Sequence, residues 1–114
     1  ALPDALLVTH DVSDPAQASA IMSDTLARFG QIDALINNAG VADFGPIEET
    51  TFERWRAVMA VNLDGVFLCS QAAIPALKET RGAIVNIASI SGLRASTLRV
   101  AYGTSQAAVI HLSE

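Results

Sequence analysis

The chain has 114 residues, 51% apolar and 17% charged, a balance that supports one domain with a modest core and excludes a disordered segment. Its formal net charge of -5 argues against nucleic acid or an anionic membrane surface as partner, since both demand basic patches. A single cysteine, Cys69, cannot form an intramolecular disulfide and fits a reducing cytoplasm.

In chain order, short apolar runs alternate with amphipathic stretches, the pattern of βα units and a parallel sheet. Ala1-Leu2-Pro3-Asp4 has neither the basic flank nor the apolar core of a signal peptide. Ala5 to Thr9 reads as a buried first strand ending at Asp11. Asp14, Pro15 and Gln17 then read as a helix start: a cap, a proline suited to the first turn, and an amide able to reach back. Ala18, Ile21, Met22, Thr25 and Phe29 follow near helical spacing, and Gly30 stops the helix. Ile32 to Ile36 is a second strand, running directly into Asn37-Asn38-Ala39-Gly40. After Gly45 and Pro46, Thr50-Thr51-Phe52-Glu53 reads as a capping box. It opens a long helical region carrying Trp55, Val58, Met59, Asn62, Val66 and Cys69 that fades after Pro75. Ala83 to Ala88 is a third strand, and a final helix starts near Ala101 and is still running at Glu114. No apolar run approaches the ~20 residues that span a bilayer, so a soluble cytoplasmic protein is expected.

Four motifs in order carry a resemblance: Asn37-Asn38-Ala39-Gly40 after a strand, Val61-Asn62, Asn86-Ile87-Ala88-Ser89, and Tyr102-Gly103-Thr104-Ser105-Gln106. As an ordered set they resemble the short-chain dehydrogenase/reductase family of NAD(P)-dependent hydride-transfer enzymes. The resemblance implies a Rossmann-like doubly wound parallel α/β sheet, incomplete here, with about three strands and flanking helices. It also implies that these residues match the central part of one such domain. The Gly-rich loop would lie upstream and most of the substrate pocket downstream. The first strand here resembles the family's third and the second its fourth. In the order 3-2-1-4-5-6 those two would not be neighbours, leaving a hole in the sheet.

By resemblance, Asp11 would bond the adenine amino group and Val12 would pack nearby. Asn38, Ala39 and Gly40 would let the backbone approach the adenosine ribose of NAD or NADP. Tyr102 would be the general acid/base, Ser89 the hydroxyl that polarises a carbonyl or alcohol substrate, and Asn62 the holder of a water relay. On the residues alone, Asp11 also reads as a turn former and Asn62 as a solvent-facing or backbone-bonding residue, with the family roles favoured. Ser91 is a rival to Ser89, but its spacing to Tyr102 does not match the family.

The family's run ends in lysine, and here that position is Gln106. A free tyrosine has a pKa of about 10, leaving ~0.1% phenolate at neutral pH. A lysine ammonium about 4 Å away would interact by roughly 4 kcal/mol at an effective dielectric of about 20, equivalent to about three pKa units. Gln106 supplies none of that field, although its amide could still bond the nicotinamide ribose hydroxyls. Proton transfer is therefore expected to be weakened.

His10 and His111 read as satisfying local hydrogen bonds, with no metal site expected, and Cys69 reads as a small buried hydrophobe. Trp55, Met22 and Met59 read as core or helix-interface residues. The family commonly assembles through the helices matched by Asn62 to Lys78 and Ala101 onward, which implies a homo-dimer or homo-tetramer. A carbonyl/alcohol oxidoreductase is the first functional reading. A non-catalytic member acting in assembly or regulation is the second, and a fragment without autonomous function the third.

Overall fold

A computed structural model describes residues 4–114. Ala1 to Pro3, which open the segment where no signal peptide is expected, lie outside the described residues. Helix α1 spans Pro15–Phe29, strand β1 Ala34–Asn37, helix α2 Phe52–Met59, helix α3 Gly65–Thr80, strand β2 Ala83–Asn86 and helix α4 Val100–Ser113. Short 3-10 turns occupy Ile47–Glu49 and Ile90–Gly92, and a π-helical turn, Ala60–Asp64, joins α2 to α3 without a break.

The helix ends follow local chemistry. Asp14 caps α1 by accepting from the Ala16 N–H, Pro15 occupies the first turn, and Gly30 ends the helix at φ 82°. Gln17 does reach back, donating to Asp14 and accepting the Asp11 N–H at 2.8 Å. The expected capping box is displaced by one residue. Thr51, not Thr50, caps α2 and accepts from Arg54 N–H, so Glu53 falls out of the reciprocal position. Pro75 does not end its helix either, because α3 continues to Thr80. Gln71, the residue whose carbonyl loses its donor there, is exposed, so water can take the missing bond.

β1 and β2 pair in parallel, Ala34 opposite Ala83 through Asn37 opposite Asn86, and form a two-stranded sheet. The expected first strand does not form: residues 5 to 11 have no strand pairing, and Leu7 is 93% exposed. A strand exists only by hydrogen-bonding a neighbour. In the doubly wound order this segment's neighbour would be a strand other than β1; among the described residues the sheet is two adjacent strands, and the expected hole within it does not appear.

The core lies between α1, α3 and the sheet, with Ala18, Met22, Ile32, Cys69, Ala73 and Leu77 buried and Leu35 and Ile84 packed against them. Ala18 and Ala73 are 1% and 0% exposed, small residues that let the two helices approach closely. Thr80 Oγ1 donates to Ile32 O at 2.7 Å and ties the end of α3 to the start of β1. The continuous helix Phe52–Thr80 contains an 18-residue window of mean hydropathy 1.5, enough by length and composition to cross a membrane. A scan for unbroken apolar runs misses it because Asn62, Asp64, Ser70 and Gln71 interrupt the run. In this fold it is the central helix, packed on α1, β1 and β2.

Candidate active site

Parallel pairing brings the carboxyl ends of β1 and β2 to one edge, where open α/β sheets bind ligands. The two exits are locked together: Asn37 Nδ2 donates to Asn86 Oδ1 at 2.8 Å and to Ser70 Oγ at 3.2 Å. Ile87 N–H adds a bond to Asn37 O at 3.0 Å. Beyond this point Asn38-Ala39-Gly40 leaves one strand and Ile87-Ala88 the other. Together with α4 they line a cleft of about 370 Å³ that also holds Arg99, Tyr102 and Gln106. Five of the residues singled out from sequence therefore share one cleft: Asn38, Ala39, Gly40, Tyr102 and Gln106. Tyr102 is half-buried, while Gln106 is only 6% exposed.

Asn62 stands behind this cleft. It is 1% exposed and clamps the backbone of Val41, accepting its N–H at Oδ1 and donating from Nδ2 to its carbonyl, each at 2.8 Å. Nδ2 also donates to Ser105 Oγ at 3.1 Å, and Ser105 Oγ donates to Tyr102 O at 2.7 Å. One buried amide thus couples the loop after β1 to the helix that carries Tyr102. The Asn62 side chain sits within the π-helical turn, where Gly65 N–H reaches back five residues to Ala60 O. Such widened turns frequently mark functional sites.

Ser89 does not line the cleft. Its hydroxyl accepts from Ser91 N–H at 3.2 Å and caps the 3-10 turn at Ile90–Gly92. Ser91 is buried and paired with Ser96 Oγ at 2.8 Å. Gly92 seats this turn on α4, since a Cβ there would stand 2.7 Å from the backbone carbon of Gln106.

Val12 lines an adjoining hollow with Asn37, Asn38 and Ala39, and it packs so tightly on Gly65 that a Cβ there would meet Val12 Cγ2 at 2.7 Å. Asp11 lines neither hollow. Its carboxylate accepts from Ser13 N–H at 2.9 Å and from the Ser13 hydroxyl at 2.6 Å, bonds that hold its pKa below the usual carboxylate value. Asp11 is thus a turn former here, and Asn62 a backbone-bonding residue. His10 Nε2 pairs with Asp24 Oδ2 at 2.9 Å. Burial raises the Cys69 thiol pKa, as suits an inert core cysteine. No group of His, Cys, Asp and Glu able to hold a metal occurs among the described residues.

A family model described as short chain dehydrogenase matches residues 2–114. The chain belongs to the short-chain dehydrogenase family. The family consists of NAD(P)-dependent oxidoreductases. The meso-2,3-butanediol dehydrogenase of Serratia marcescens is 40% identical over 109 residues, which is 96% of this chain and 43% of the relative. The "inactive 2-(S)-hydroxypropyl-CoM dehydrogenase 2" of Xanthobacter autotrophicus is 41% identical over 107 residues, 93% of this chain and 46% of its own. The gluconate 5-dehydrogenase of Burkholderia cenocepacia, solved with NADP and tartrate, superposes with a TM-score of 0.84 at 37% identity. That match covers 90% of this chain and 40% of the solved one. The chain therefore spans less than half the length of the curated relatives it matches.

Against this short-chain dehydrogenase background, three parts of the site receive no role from the sequence: Val41, Arg99 and Ser105. Val41 enters through its backbone, which no side-chain pattern reveals. Ser105 falls inside the Tyr102-to-Gln106 run, one turn beyond Tyr102, and that spacing is the signal that could have found it. Arg99 likewise sits one turn before Tyr102.

Proposed function

We propose that this chain is the central part of one dinucleotide-binding domain in an NAD(P)-dependent oxidoreductase that interconverts a small carbonyl and its alcohol. The observation carrying this reading is the single cleft shared by Asn38, Ala39, Gly40, Tyr102 and Gln106. The cleft suits a nicotinamide nucleotide. The Asn38-Ala39-Gly40 backbone is exposed beside small side chains. Among the described residues the Gln106 amide makes no hydrogen bond to the protein, which leaves its donors and acceptor for a ligand. When bound, the nicotinamide would supply or accept the hydride.

The remaining chemistry falls to this chain's own groups. Asn38 to Gly40 would bind ribose through the backbone, and Gln106 would orient the nearer ribose hydroxyls. Val12 would pack against the adenine side and Asp11 would accept from its amino group, should its bonds to Ser13 open. Tyr102 would give a proton to the carbonyl oxygen in reduction and take one from the alcohol in oxidation. Ser89 would hydrogen-bond the same oxygen once its hydroxyl turns away from Ser91 N–H. Asn62 holds the Val41 backbone and would anchor the water relay that carries protons between Tyr102 and solvent. Gln106 provides no positive charge to stabilise a Tyr102 phenolate, so turnover would be slow. We propose a cytoplasmic homo-dimer or homo-tetramer as its setting.

The same glutamine favours a second reading, a non-catalytic member acting in assembly or regulation, and a relative that bears the word inactive in its name keeps this reading in view. One variant separates the two. In a full-length protein, Gln106→Lys should raise kcat for NADPH- or NADH-dependent carbonyl reduction on the order of 100-fold, the range of general acid–base catalysis. Tyr102→Phe in that background should remove the gain. An unchanged rate in the lysine variant, with cofactor still bound, would leave only the non-catalytic reading.

A further inference from the structure

The cleft contains one charged side chain, Arg99, and among the described residues no carboxylate neutralises it. Asp43, beside Phe44 in the loop after β1, is already committed, since its Oδ1 accepts from Arg54 Nε at 3.2 Å and from Nη2 at 2.9 Å. That interaction also holds the Arg54 pKa above its ordinary value. In a chain of net charge -5, a lone guanidinium at the rim of the cleft is a local reversal of field.

Arg99 is also held in place. Its guanidinium carbon lies 5.0 Å above the centroid of the Phe44 ring, a cation–π contact. Its backbone forms an isolated parallel bridge with Gly45, whose N–H donates to Leu98 O at 3.0 Å. Leu98 adopts φ 61°, a left-handed conformation that strains a bulky L-residue. Gly45, at φ 152°, meets it from the other loop with no Cβ. A strained leucine on one loop and a glycine on the other thus fix a cation at one place. Arg99 and Tyr102 stand three residues apart at the start of α4, so they project from neighbouring turns into the same cleft.

We infer that Arg99 determines substrate class: it receives a carboxylate carried by the substrate while the substrate's carbonyl or alcohol meets Tyr102. A guanidinium offers a planar fork of N–H donors that matches a carboxylate in two parallel bonds, and stacking on Phe44 leaves its edge open to make them. The substrate is then a keto acid or hydroxy acid rather than a neutral ketone. The inference rests on the oxidoreductase reading above and deepens it.

The test uses the full-length protein with NADPH and NADH. Acetoacetate, levulinate and the next longer keto acid are each paired with the neutral methyl ester. The wild type should favour one acid over its ester, and Arg99→Gln should cut that ratio of kcat/KM about tenfold, chiefly through KM. Arg99→Lys should restore part of the ratio. A merely structural Arg99 would lower both rates together, and a ratio unchanged in Arg99→Gln overturns the inference while leaving the oxidoreductase intact. Should no ketone turn over, calorimetry of the same acid and ester pairs decides. Acid binding that disappears in Arg99→Gln supports the carboxylate site and sinks the catalytic reading. Equal binding of acid and ester sinks both.

Discussion

At the scale of single residues, Asn62 carries more of the site than its motif suggests. Its amide fills three bonds at once, two to Val41 and one to Ser105, and lies almost fully out of solvent. Asn62→Ala would remove all three bonds, leaving the N–H and carbonyl of Val41, a residue 44% exposed, to whatever water reaches them. A typical bond contributes about 0.5–1.5 kcal/mol net, so a loss of roughly 2–3 kcal/mol over the three bonds is expected from urea unfolding of the full-length protein. A loss below about 1 kcal/mol would mean that water replaces the amide and that the clamp is incidental. Asn62→Asp keeps the acceptor for Val41 N–H but faces a carboxylate toward Val41 O, so it should be no better tolerated. This role was half legible. An asparagine in mid-helix announces a hydrogen-bonding task, yet its partners lie 21 and 43 residues away, and no local pattern names them.

At the scale of elements, the helix ends were readable because their signals are local. Asp14, Pro15 and Gly30 each act within one turn of their own position, and the structure uses all three. Strand Ala5 to Thr9 was misread for the opposite reason. Its apolar run is genuine, but pairing depends on neighbours that the run does not specify. The π-helical turn was invisible because one extra residue per turn barely disturbs an apolar stripe. Helix-to-turn seating makes a sharper prediction. A Cβ on Gly92 would lie 2.7, 2.8 and 2.9 Å from Gln106 C, Ala107 N and Gln106 O, all backbone atoms that cannot swing aside. Gly92→Ala should therefore lift the Ser89-capped turn off α4, costing about 1–3 kcal/mol. It should also lower kcat more than it raises KM, because Ser89 moves relative to Tyr102. Gly103→Ala is the milder case: its Cβ would stand 3.2 Å from Ser91 O of the same turn, which need give only a few tenths of an ångström, and alanine gains about 1 kcal/mol in a helix. Equal tolerance of the two variants, by melting temperature and kcat, would remove the link between this turn and the site.

At the scale of the whole molecule, surface area connects the fold to its family. The chain exposes 7462 Å², whereas a compact monomer of its 11.9 kDa exposes about 5,900 Å². Its radius of gyration is 15.4 Å against roughly 13 Å for a compact chain of this length. Much of the exposed surface is apolar: Leu7, Phe52, Leu93 and Ile47 stand out from loops and helix ends, and part of it lies on the sheet and its exits. Ile36, Val85 and Ile87 are 55%, 45% and 50% exposed, and a hollow of about 790 Å³ opens between α3, β2 and the end of α4. Parallel sheets are normally covered on both faces, so these residues carry the pattern of a core whose other half is not among them. The sequence showed the same thing as continuous apolar strands, but could not say which faces would remain bare. Taken alone, the 114-residue chain should show helical circular dichroism, bind a hydrophobic dye, and unfold over a broad range with a small denaturant slope. A protein of the relatives' full length should lose the dye binding and unfold sharply. A sharp transition without dye binding in the short chain, independent of its concentration, would show that the two-stranded sheet closes its own core. The cleft of Asn38, Tyr102 and Gln106 would then be a self-sufficient site, and cofactor binding by these residues alone would become the measurement to make.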